Sequence, residues 1–389
     1  MTNDLPVFRP TTLAEAREAV AEGALLFRGG GTKLDWGRAP AHLDRVVDTT
    51  GLNGIREWNA ADMTATVGAG TPLAALQGQL AEAGQWLAVD PPLGAEAAAT
   101  VGGVFAAGDS GPRRLRFGPV RDLVIGLVFV LSDGTVARSG GKVIKNVAGY
   151  DVAKLFCGSL GTLGLVTELT VRLHPRPEAS RTLRIGADAG TAAALFAEVW
   201  ASHLEPVALD WAGGGLWVRF QGRVAGVEAQ LQRVRLLAEK RALPSEVLEG
   251  PAEEEAWRGL VEALAGQPGE TVVRGSTLPD GFGPAAEALR AAAGEAGVEA
   301  VLHSHVGIGL HTARLSGGDA AAHARAAATW RQSLEALGGH VVIRRRIPGV
   351  EEAVDVLPVD PAGAAIMKRV KDLLDPESRC APGRFGEGW

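Results

Sequence analysis

A buried strand that runs straight into three consecutive glycines is the feature that most constrains the fold of this chain. The strand reads Ala24-Leu25-Leu26-Phe27, and the segment after it reads Arg28-Gly29-Gly30-Gly31-Thr32-Lys33-Leu34. Consecutive glycines leave main-chain N–H groups uncovered, and nests of such groups bind phosphate oxygens. The Thr32 hydroxyl adds a donor, while Arg28 and Lys33 add positive charge. The pattern indicates either a phosphate-binding loop or a tight strand-to-loop turn, and it is not a Walker loop because GxxxxGK[ST] is absent.

Small residues also dominate a second segment. Glycine makes up 52 of the 389 residues, against a typical share of about 7%. The segment contains Thr100-Val101-Gly102-Gly103 and Ala106-Ala107-Gly108-Asp109-Ser110-Gly111, within a stretch that we predict to be irregular from 86 to 120. Such a backbone could lie against a flat ring system or a pyrophosphate, or could form a long loop without a ligand. No GxGxxG sequence opens a helix, so a nicotinamide cofactor is not predicted.

The hydrophobic pattern predicts an α+β fold. The apolar run over 123–131 is typical of a strand covered on both faces, and residues 165–173 alternate like a half-buried strand. His174-Pro175-Arg176-Pro177 cannot continue a helix and marks the predicted domain boundary. The second half alternates strands and helices, which predicts an antiparallel sheet with helices on one face. We predict strands near 182–186, 206–211, 215–221, 271–275, 299–305, 308–314 and 340–346, and helices near 190–201, 223–241, 283–295, 319–336 and 363–374.

Composition excludes several classes of protein. The 39 basic and 45 acidic residues give a formal net charge of −6, so no nucleic-acid partner is predicted. Cys157 and Cys380 are too few for a disulfide framework, a four-cysteine zinc site or an iron–sulfur cluster. No uncharged apolar stretch approaches the roughly 20 residues that span a bilayer, so membrane insertion is not predicted. The amino terminus lacks the pattern of a signal peptide, and we expect a cytoplasmic location. Partner subunits could still dock the protein peripherally at the inner face of the membrane.

A third segment makes the combination of motifs specific. Residues Gly140 to Glu168 include the stretch KNVAGYDVAKLFCGSLGTLG, and they follow the other two glycine-rich segments in a fixed order. Together the three segments resemble the FAD-binding domain of the vanillyl-alcohol oxidase and p-cresol methylhydroxylase (PCMH) superfamily over about 1–175. Within it, the third segment is most similar to the glycolate oxidase and D-lactate dehydrogenase branch. The chain is short, and its carboxyl-terminal part matches that branch poorly. In both respects it resembles the FAD-binding E subunits of bacterial glycolate oxidases.

The resemblance implies a two-lobed PCMH-type FAD-binding domain over 1–175, with lobes at about 1–52 and 53–175. An α+β cap domain over 178–389 would follow, with a tail that returns toward the flavin. The cofactor would be non-covalent FAD, since family members with covalent FAD have a histidine in or next to the first loop and none occurs from Met1 to Gly31. Leu160 replaces a usual acidic residue and Asp109 a common asparagine. The cofactor-binding residues implied are Arg28, Gly29, Gly30, Gly31, Thr32, Lys33, Leu34, Thr100, Gly102, Gly103, Asp109, Ser110, Gly111, Gly161, Gly164 and Val166.

Catalytic residues are not identified by the sequence. Related catalytic subunits carry an HxGDGNxH motif, which His303-Ser304-His305-Val306-Gly307-Ile308-Gly309-Leu310-His311 resembles only in part because its spacing is one residue short. On a strand His303 and His305 would share one face, and His311 could meet them across a turn. Arg384 lies in a CAPGRF segment that resembles the NPGK/R segment of the family. These four residues are catalytic candidates, hydrogen-bonded strand histidines are the alternative, and no metal site is predicted.

Three functions remain open at this stage. The first, which the resemblance implies, is an FAD-binding subunit of a glycolate oxidase-like complex acting on a small 2-hydroxy acid. It would relay electrons between a larger catalytic flavoprotein subunit and an iron–sulfur subunit. The second is an autonomous FAD-dependent D-lactate or glycolate dehydrogenase that uses the three histidines. The third is a structural subunit with a vestigial flavin site.

Overall fold

The computed structural model describes residues 4–143, 149–386 and 389. These residues form two compact units: the first comprises 1–110, 118–176 and 359–389, and the second comprises 111–117 and 177–358. The sequence-based division assigned everything after 178 to the second domain, whereas the structure places 359–389 in the first unit. Residues 144–148 of the third glycine-rich segment lie outside the described residues.

The strands follow one another along the chain as β1 Val7–Phe8, β2 Leu25–Arg28, β3 Arg45–Asp48, β4 Ile55–Asn59, β5 Thr64–Gly68, β6 Gln85–Trp86, β7 Val124–Val130, β8 Val136–Gly140, β9 Leu165–Arg172, β10 His174–Pro175, β11 Ala179–Gly186, β12 Ala208–Ala212, β13 Gly215–Gly222, β14 Ser245–Glu249, β15 Thr271–Ser276, β16 Glu299–His305, β17 Leu310–Ser316 and β18 His340–Arg345. The α-helices are α1 Leu13–Ala19, α2 Leu73–Ala81, α3 Val101–Ala107, α4 Arg114–Phe117, α5 Val120–Leu123, α6 Ala153–Phe156, α7 Ala189–Trp200, α8 Val224–Glu239, α9 Gly250–Ala263, α10 Phe282–Ala296, α11 Ala320–Ala336, α12 Val350–Ala353 and α13 Pro361–Leu374. Within the described ranges, no helix has both the length and the apolar character needed to cross a bilayer.

The first unit contains two main sheets. A small parallel sheet has the strand order β1-β3-β2, and an antiparallel sheet has the order β4-β5-β9-β7-β8. The predicted apolar strand at 123–131 is observed as β7, which pairs with both β8 and β9. Buried side chains of α2 and α3, among them Leu76 and Phe105, pack with residues of the five-stranded sheet to form its core. The division into two lobes at about 1–52 and 53–175 stays a prediction.

A short helix replaces part of the irregular segment predicted over 86–120. Helix α3 begins after Thr100, whose side-chain oxygen accepts a hydrogen bond from the Gly103 amide at 3.2 Å. This N-cap satisfies one of the amides that a helix start leaves without a partner. Gly108 ends the helix in the left-handed conformation with φ 61°. The sequence-based prediction was wrong here because the glycines that suggested a loop lie inside the first helical turn.

The second unit is built on an eight-stranded antiparallel sheet with the order β14-β11-β13-β12-β16-β17-β15-β18. Its main core contains alternate strand residues, such as Leu216 and Val218, together with buried residues of α7, α8, α10 and α11. Trp217 lies on the other face, because neighbouring strand residues point to opposite sides, and it packs there against Trp257 of α9. Helices therefore cover both faces, which corrects the prediction of helices on one face only. The α+β class and the antiparallel second part of the chain are confirmed.

Candidate cofactor site

The glycine loop, residues 29–34, lies directly after β2, and Gly29 and Gly30 are packed too tightly to carry side chains. A Cβ atom added to Gly30 would lie 1.7 Å from the carbonyl oxygen of Ala98, and one added to Gly29 would lie 2.2 Å from Thr100 Oγ1. Gly31 has φ +73°, a conformation that favours glycine. In the described structure, the amides of Gly30 and Gly31 donate none of the intramolecular hydrogen bonds. Main-chain N–H groups of the loop are therefore available as donors, and their contact with a phosphate stays a prediction.

The first turn of α3 forms a second wall without bulky side chains. Gly102 and Gly103 lie in this turn, and Ala106 and Ala107 follow one turn later. A Cβ atom on Gly102 would come within 2.7 Å of the Ala69 side chain. Only main-chain atoms and methyl groups lie on this face of α3, so a flat or extended ligand could pack against it.

A third wall is the turn that precedes β9. Leu160 and Gly161 both have positive φ, 53° and 77°, which is uncommon for a leucine. The Ser159 and Thr162 hydroxyls donate hydrogen bonds to the carbonyl oxygens of Phe156 and Ser159 respectively. These bonds hold the turn so that its main chain faces the other two walls.

The three walls enclose a cleft of about 760 Å³, including the part open to solvent. Twelve of the sixteen residues proposed from the sequence line it: Gly29, Gly30, Gly31, Thr32, Lys33, Leu34, Thr100, Gly102, Gly103, Gly161, Gly164 and Val166. Further lining residues, which are not among those sixteen, are Phe27, Thr49, Ala69, Ala106, Ala107, Ser159, Leu160 and Leu165.

Four proposed cofactor residues lie outside this lining. Arg28 pairs with Asp48 at 3.1 Å, and buried Asp109 lies 3.6 Å from the Lys33 ammonium. The Ser110 hydroxyl is buried and has no hydrogen-bond partner among the described residues. Gly111 belongs to the second unit. Their expected direct contact with a cofactor therefore stays a prediction, and the structure gives Arg28 and Asp109 ion-pair partners instead.

Two carboxylates, Asp48 and Asp109, pair with the cationic side chains of the loop, Arg28 and Lys33. Asp48 accepts hydrogen bonds from Arg9, Arg28 and Thr50. Burial alone would raise the pKa of Asp48, but these hydrogen bonds outweigh it and the pKa lies below its ordinary value of 3.8. Lys33 Nζ donates to the carbonyl oxygen of Pro92 at 3.2 Å. Both cationic side chains are thus fixed beside the loop.

The carboxyl-terminal tail supplies the remaining wall. Arg384, with 4% of its surface exposed, lines the cleft, and its guanidinium donates to the carbonyl oxygen of Leu34 at 2.7 Å. Hydrogen bonds between Leu25 and the main chain of Arg379 and Ala381 attach the tail to β2. Arg384 therefore borders the cofactor cleft rather than the histidine segment.

The histidines proposed from the sequence lie in the second unit and do not form one group. His305 is paired with Asp210 across β12 and β16, and His303 lies two residues away on the same face. His311 is instead paired with Ser304, which places it on the opposite face of the sheet. Its ring nitrogens bond to the hydroxyls of Ser304 at 2.6 Å and Thr277 at 2.9 Å. The expectation that His311 meets the other two is therefore corrected.

Burial sets the charge of this region. Burial lowers the pKa of His311 to about 3 and also lowers the pKa of His305. Burial alone would raise the pKa of Asp210, but the two histidines bonded to it lower that pKa to about 2. Asp210 is therefore a buried carboxylate that accepts hydrogen bonds from two imidazoles.

The cleft fits a dinucleotide such as FAD. It combines main-chain donors for a diphosphate with a wall of glycine and alanine for a ring system. Among the described residues that line it there is no histidine, cysteine or tyrosine, the side chains that could form a covalent bond to a flavin. The donor chemistry of the cleft therefore agrees with an FAD site, and the expected non-covalent attachment stays a prediction.

Two family models match the chain. The model of an FAD binding domain matches residues 5–140, and the model of the C-terminal domain of FAD linked oxidases matches residues 209–385. Among solved structures, alkyldihydroxyacetonephosphate synthase superposes with a TM-score of 0.72 at 17% identity, covering 97% of this chain and 75% of that one. At this identity the superposition shows a shared fold.

Curated relatives point to the same family. Glycolate oxidase subunit GlcE of Escherichia coli is 35% identical over 56% of this chain, and the alignment spans 61% of that protein. Glycolate oxidase subunit GlcD of Bacillus subtilis is 28% identical over 92% of this chain and 83% of that protein. D-lactate dehydrogenase of Archaeoglobus fulgidus is 40% identical over 39% of this chain and 33% of that protein.

The predicted superfamily and its cofactor, FAD, are confirmed by these matches. The family models cover most of the unit that carries the cleft and most of the eight-stranded sheet. Over residues 5–140 and 209–385 this chain is similar to the FAD-binding and C-terminal domains of FAD-linked oxidases.

Proposed function

We propose that this chain is the FAD-binding subunit of a glycolate oxidase-like complex and takes part in the oxidation of a small 2-hydroxy acid. One non-covalent FAD would be held in the cleft between the glycine loop, α3 and the turn before β9. The observation that carries the proposal is the position of Gly29 and Gly30, where the packed backbone leaves no room for a Cβ atom.

The chain's own residues would bind and orient the cofactor. The amides of Gly30 and Gly31 and the Thr32 hydroxyl would hold the diphosphate, and the Lys33 ammonium would offset its charge. The glycine and alanine wall of α3 would exclude water from one side of the cofactor. When bound, FAD supplies the hydride- and electron-transfer chemistry that side chains lack.

The names of two relatives support a role as a subunit, since both are glycolate oxidase subunits. A larger catalytic flavoprotein and an iron–sulfur subunit would be the partners. Cys157 and Cys380 are too few to ligate a cluster in this chain. The D-lactate dehydrogenase relative supports a 2-hydroxy acid as the substrate class.

Flavin content tests cofactor binding. The purified chain should be yellow and should release about one FAD per chain on acid treatment. Chromatography of the released flavin distinguishes FAD from FMN and shows whether it was covalently attached. A chain that takes up no FAD when unfolded and refolded with it would support the structural-subunit alternative and refute the proposal.

Anaerobic mixing with substrate tests the subunit role. Glycolate or D-lactate added to the isolated chain should leave the flavin absorption unchanged, whereas addition of the co-purified partner subunits should allow bleaching. Rapid bleaching of the isolated chain would instead favour the autonomous dehydrogenase. Tagged chain purified from its native source provides the partners and identifies them by mass spectrometry.

A further inference from the structure

A segment of the carboxyl-terminal tail, residues 378–386, runs alongside the glycine loop, and we call it the strap. Its main chain is hydrogen-bonded to Leu25, which precedes the loop, and to Arg38, which follows it. Arg384 of the strap lines the cofactor cleft and donates to the carbonyl oxygen of Leu34 at 2.7 Å. The strap therefore contacts both ends of the loop, and this wall of the cleft exists only while the strap is in place.

One side chain of the strap attaches it to both sheets of the first unit. The Arg379 guanidinium donates hydrogen bonds to three main-chain carbonyl oxygens. These belong to Val20 at 2.6 Å, Gly23 at 3.0 Å and Ser132 at 2.8 Å. Val20 and Gly23 lie between α1 and β2, whereas Ser132 lies in the turn between β7 and β8. Because hydrogen bonds from a charged donor are stronger than neutral ones, Arg379 is the main attachment of the strap to the rest of the unit.

The backbone that flanks Arg379 is strained. Ser378 has φ 49° and Ala381 has φ 44°, so both take the left-handed conformation although both have side chains. Residues other than glycine rarely adopt it, and such strain persists only where the surrounding structure imposes it. Here the Asp375 carboxylate accepts hydrogen bonds from the amides of Arg379 and Cys380. Strain therefore favours release of the strap, and the bonds of Asp375 and Arg379 oppose it.

An open cavity borders the start of the strap. It has a volume of about 650 Å³, including the part open to solvent, and its lining includes Gly23, Asp44, Glu377, Ser378 and Arg379. Among the described residues, none lines both this cavity and the cofactor cleft. The first residues of the strap therefore have free space beside them, and they can move without displacing packed side chains.

We propose that Arg379 is a positioning residue for the cofactor, and that the strap must be released from its three carbonyl partners before FAD can enter or leave the cleft. This inference rests on the proposed flavin site. In the closed state Arg384 and Leu34 complete the cleft, and in the open state that wall is absent. Arg379 is not among the residues that line the cleft, so it acts through the strap and sets the rate of cofactor exchange.

The experiment measures how fast the full-length apoprotein takes up FAD. Apoprotein is mixed with increasing concentrations of FAD in a stopped-flow instrument, and flavin fluorescence reports binding. The observed rate for the wild-type chain should level off at high FAD concentration, because opening of the strap then limits uptake. Arg379→Gln removes hydrogen bonds of a charged donor, so it should raise this plateau and the rate of FAD dissociation at least about tenfold.

A second variant tests the strap in the opposite direction, and each variant has a matched control. Glycine adopts a φ of 49° more readily than serine, so Ser378→Gly favours the closed strap and should lower the plateau about two- to fivefold. Arg17→Gln is the control for Arg379→Gln, since Arg17 of α1 donates to the carbonyl oxygen of Gly134 in the same β7–β8 turn. Ala242→Gly relieves a φ of 53° in the second unit. Both controls should leave the plateau unchanged.

The proposal is overturned if uptake by the wild-type chain rises in proportion to FAD concentration without a plateau, or if Arg379→Gln and Arg17→Gln exchange FAD at the same rate. It is also overturned if Ser378→Gly exchanges FAD faster than the wild-type chain, a result that does not depend on the folding of Arg379→Gln. A wild-type apoprotein that binds no FAD refutes the proposed function, whereas normal binding without a plateau refutes only the role of the strap. The two failures are therefore distinguishable.

Discussion

Lys371 and Asp375 form an ion pair in which neither side chain reaches solvent, with 1% and 0% of their surfaces exposed. The Lys371 ammonium also donates to the carbonyl oxygens of Thr162 at 2.8 Å and Cys380 at 2.9 Å. Thr162 belongs to the turn that forms one wall of the cleft, and Cys380 lies in the tail that carries Arg384. One buried ammonium group thus joins two walls of the cofactor cleft.

Replacing this lysine should weaken both folding and cofactor retention. Lys371→Met leaves Asp375 as an unpaired buried carboxylate, a change that typically costs about 3–5 kcal/mol. Lys368→Met is the matched control, because it breaks an ion pair with Asp372 of the same i,i+4 spacing that is partly exposed and worth about 0.3–0.5 kcal/mol. Urea denaturation and flavin content measure the two effects. Equal losses in both variants would contradict the assigned role.

Acid should destabilise the first unit through Asp48. The folded-state pKa of this carboxylate lies below 3.8, so its contribution to the free energy of unfolding is present above pH 3.8 and is lost as the pH falls through the folded-state pKa. The difference in stability between wild type and Asp48→Asn should therefore be constant near neutral pH and should shrink below about pH 4. Denaturation at a series of pH values measures this, with Asp372→Asn as an exposed control. A constant difference down to pH 2 would refute it.

A methyl group at Gly30 should abolish FAD retention. Its Cβ atom would collide with the Ala98 carbonyl oxygen, so the loop must move away from the cleft. Gly78→Ala provides the comparison, since a Cβ atom there meets nothing within 4 Å and alanine in a helix is favoured by about 0.5–1 kcal/mol. Gly78→Ala should keep its flavin and gain stability. Retention of flavin by Gly30→Ala, measured by absorption after desalting, would refute the assignment of the loop.

The two thiols should differ in reactivity. Burial raises the pKa of Cys380, whose exposed surface is 0%, and a thiol that cannot form thiolate is inert. Cys157 is half-buried. A disulfide reagent at pH 8 should therefore modify Cys157 in the native protein and both thiols in urea. Cys157→Ser should leave no fast-reacting thiol, and rapid labelling of Cys380 in that variant would show that the tail detaches.

The sequence predicts the elements with strong periodicity and the local motifs, but less of their spatial arrangement. Strand β16 occurs at the predicted residues, 299–305. The loop at 29–34 was predicted from consecutive glycines, whose effect is local. Ser159 and Leu160 gave no comparable signal, because their role depends on a turn held by hydrogen bonds to neighbouring carbonyl groups.

Errors arose where long-range packing decides the structure. Strand β14 has mostly exposed residues and no alternation, so nothing in its sequence separates it from a loop. Glu253 stands in a run of three glutamates, yet it is buried and pairs with Arg219 at 3.2 Å. The face of His311 depends on the short turn Val306–Ile308, since one residue of register moves a side chain to the other side of a sheet.

The attachment of residues 359–389 to the first unit has a consequence for biosynthesis. A ribosome delivers these residues after the whole of the eight-stranded sheet, yet Leu25 bonds to the main chain of Arg379 and Ala381. Strand β2 must therefore wait for this partner until the whole eight-stranded sheet has been synthesised. Uptake of the flavin into a finished cleft accordingly follows synthesis of the second unit.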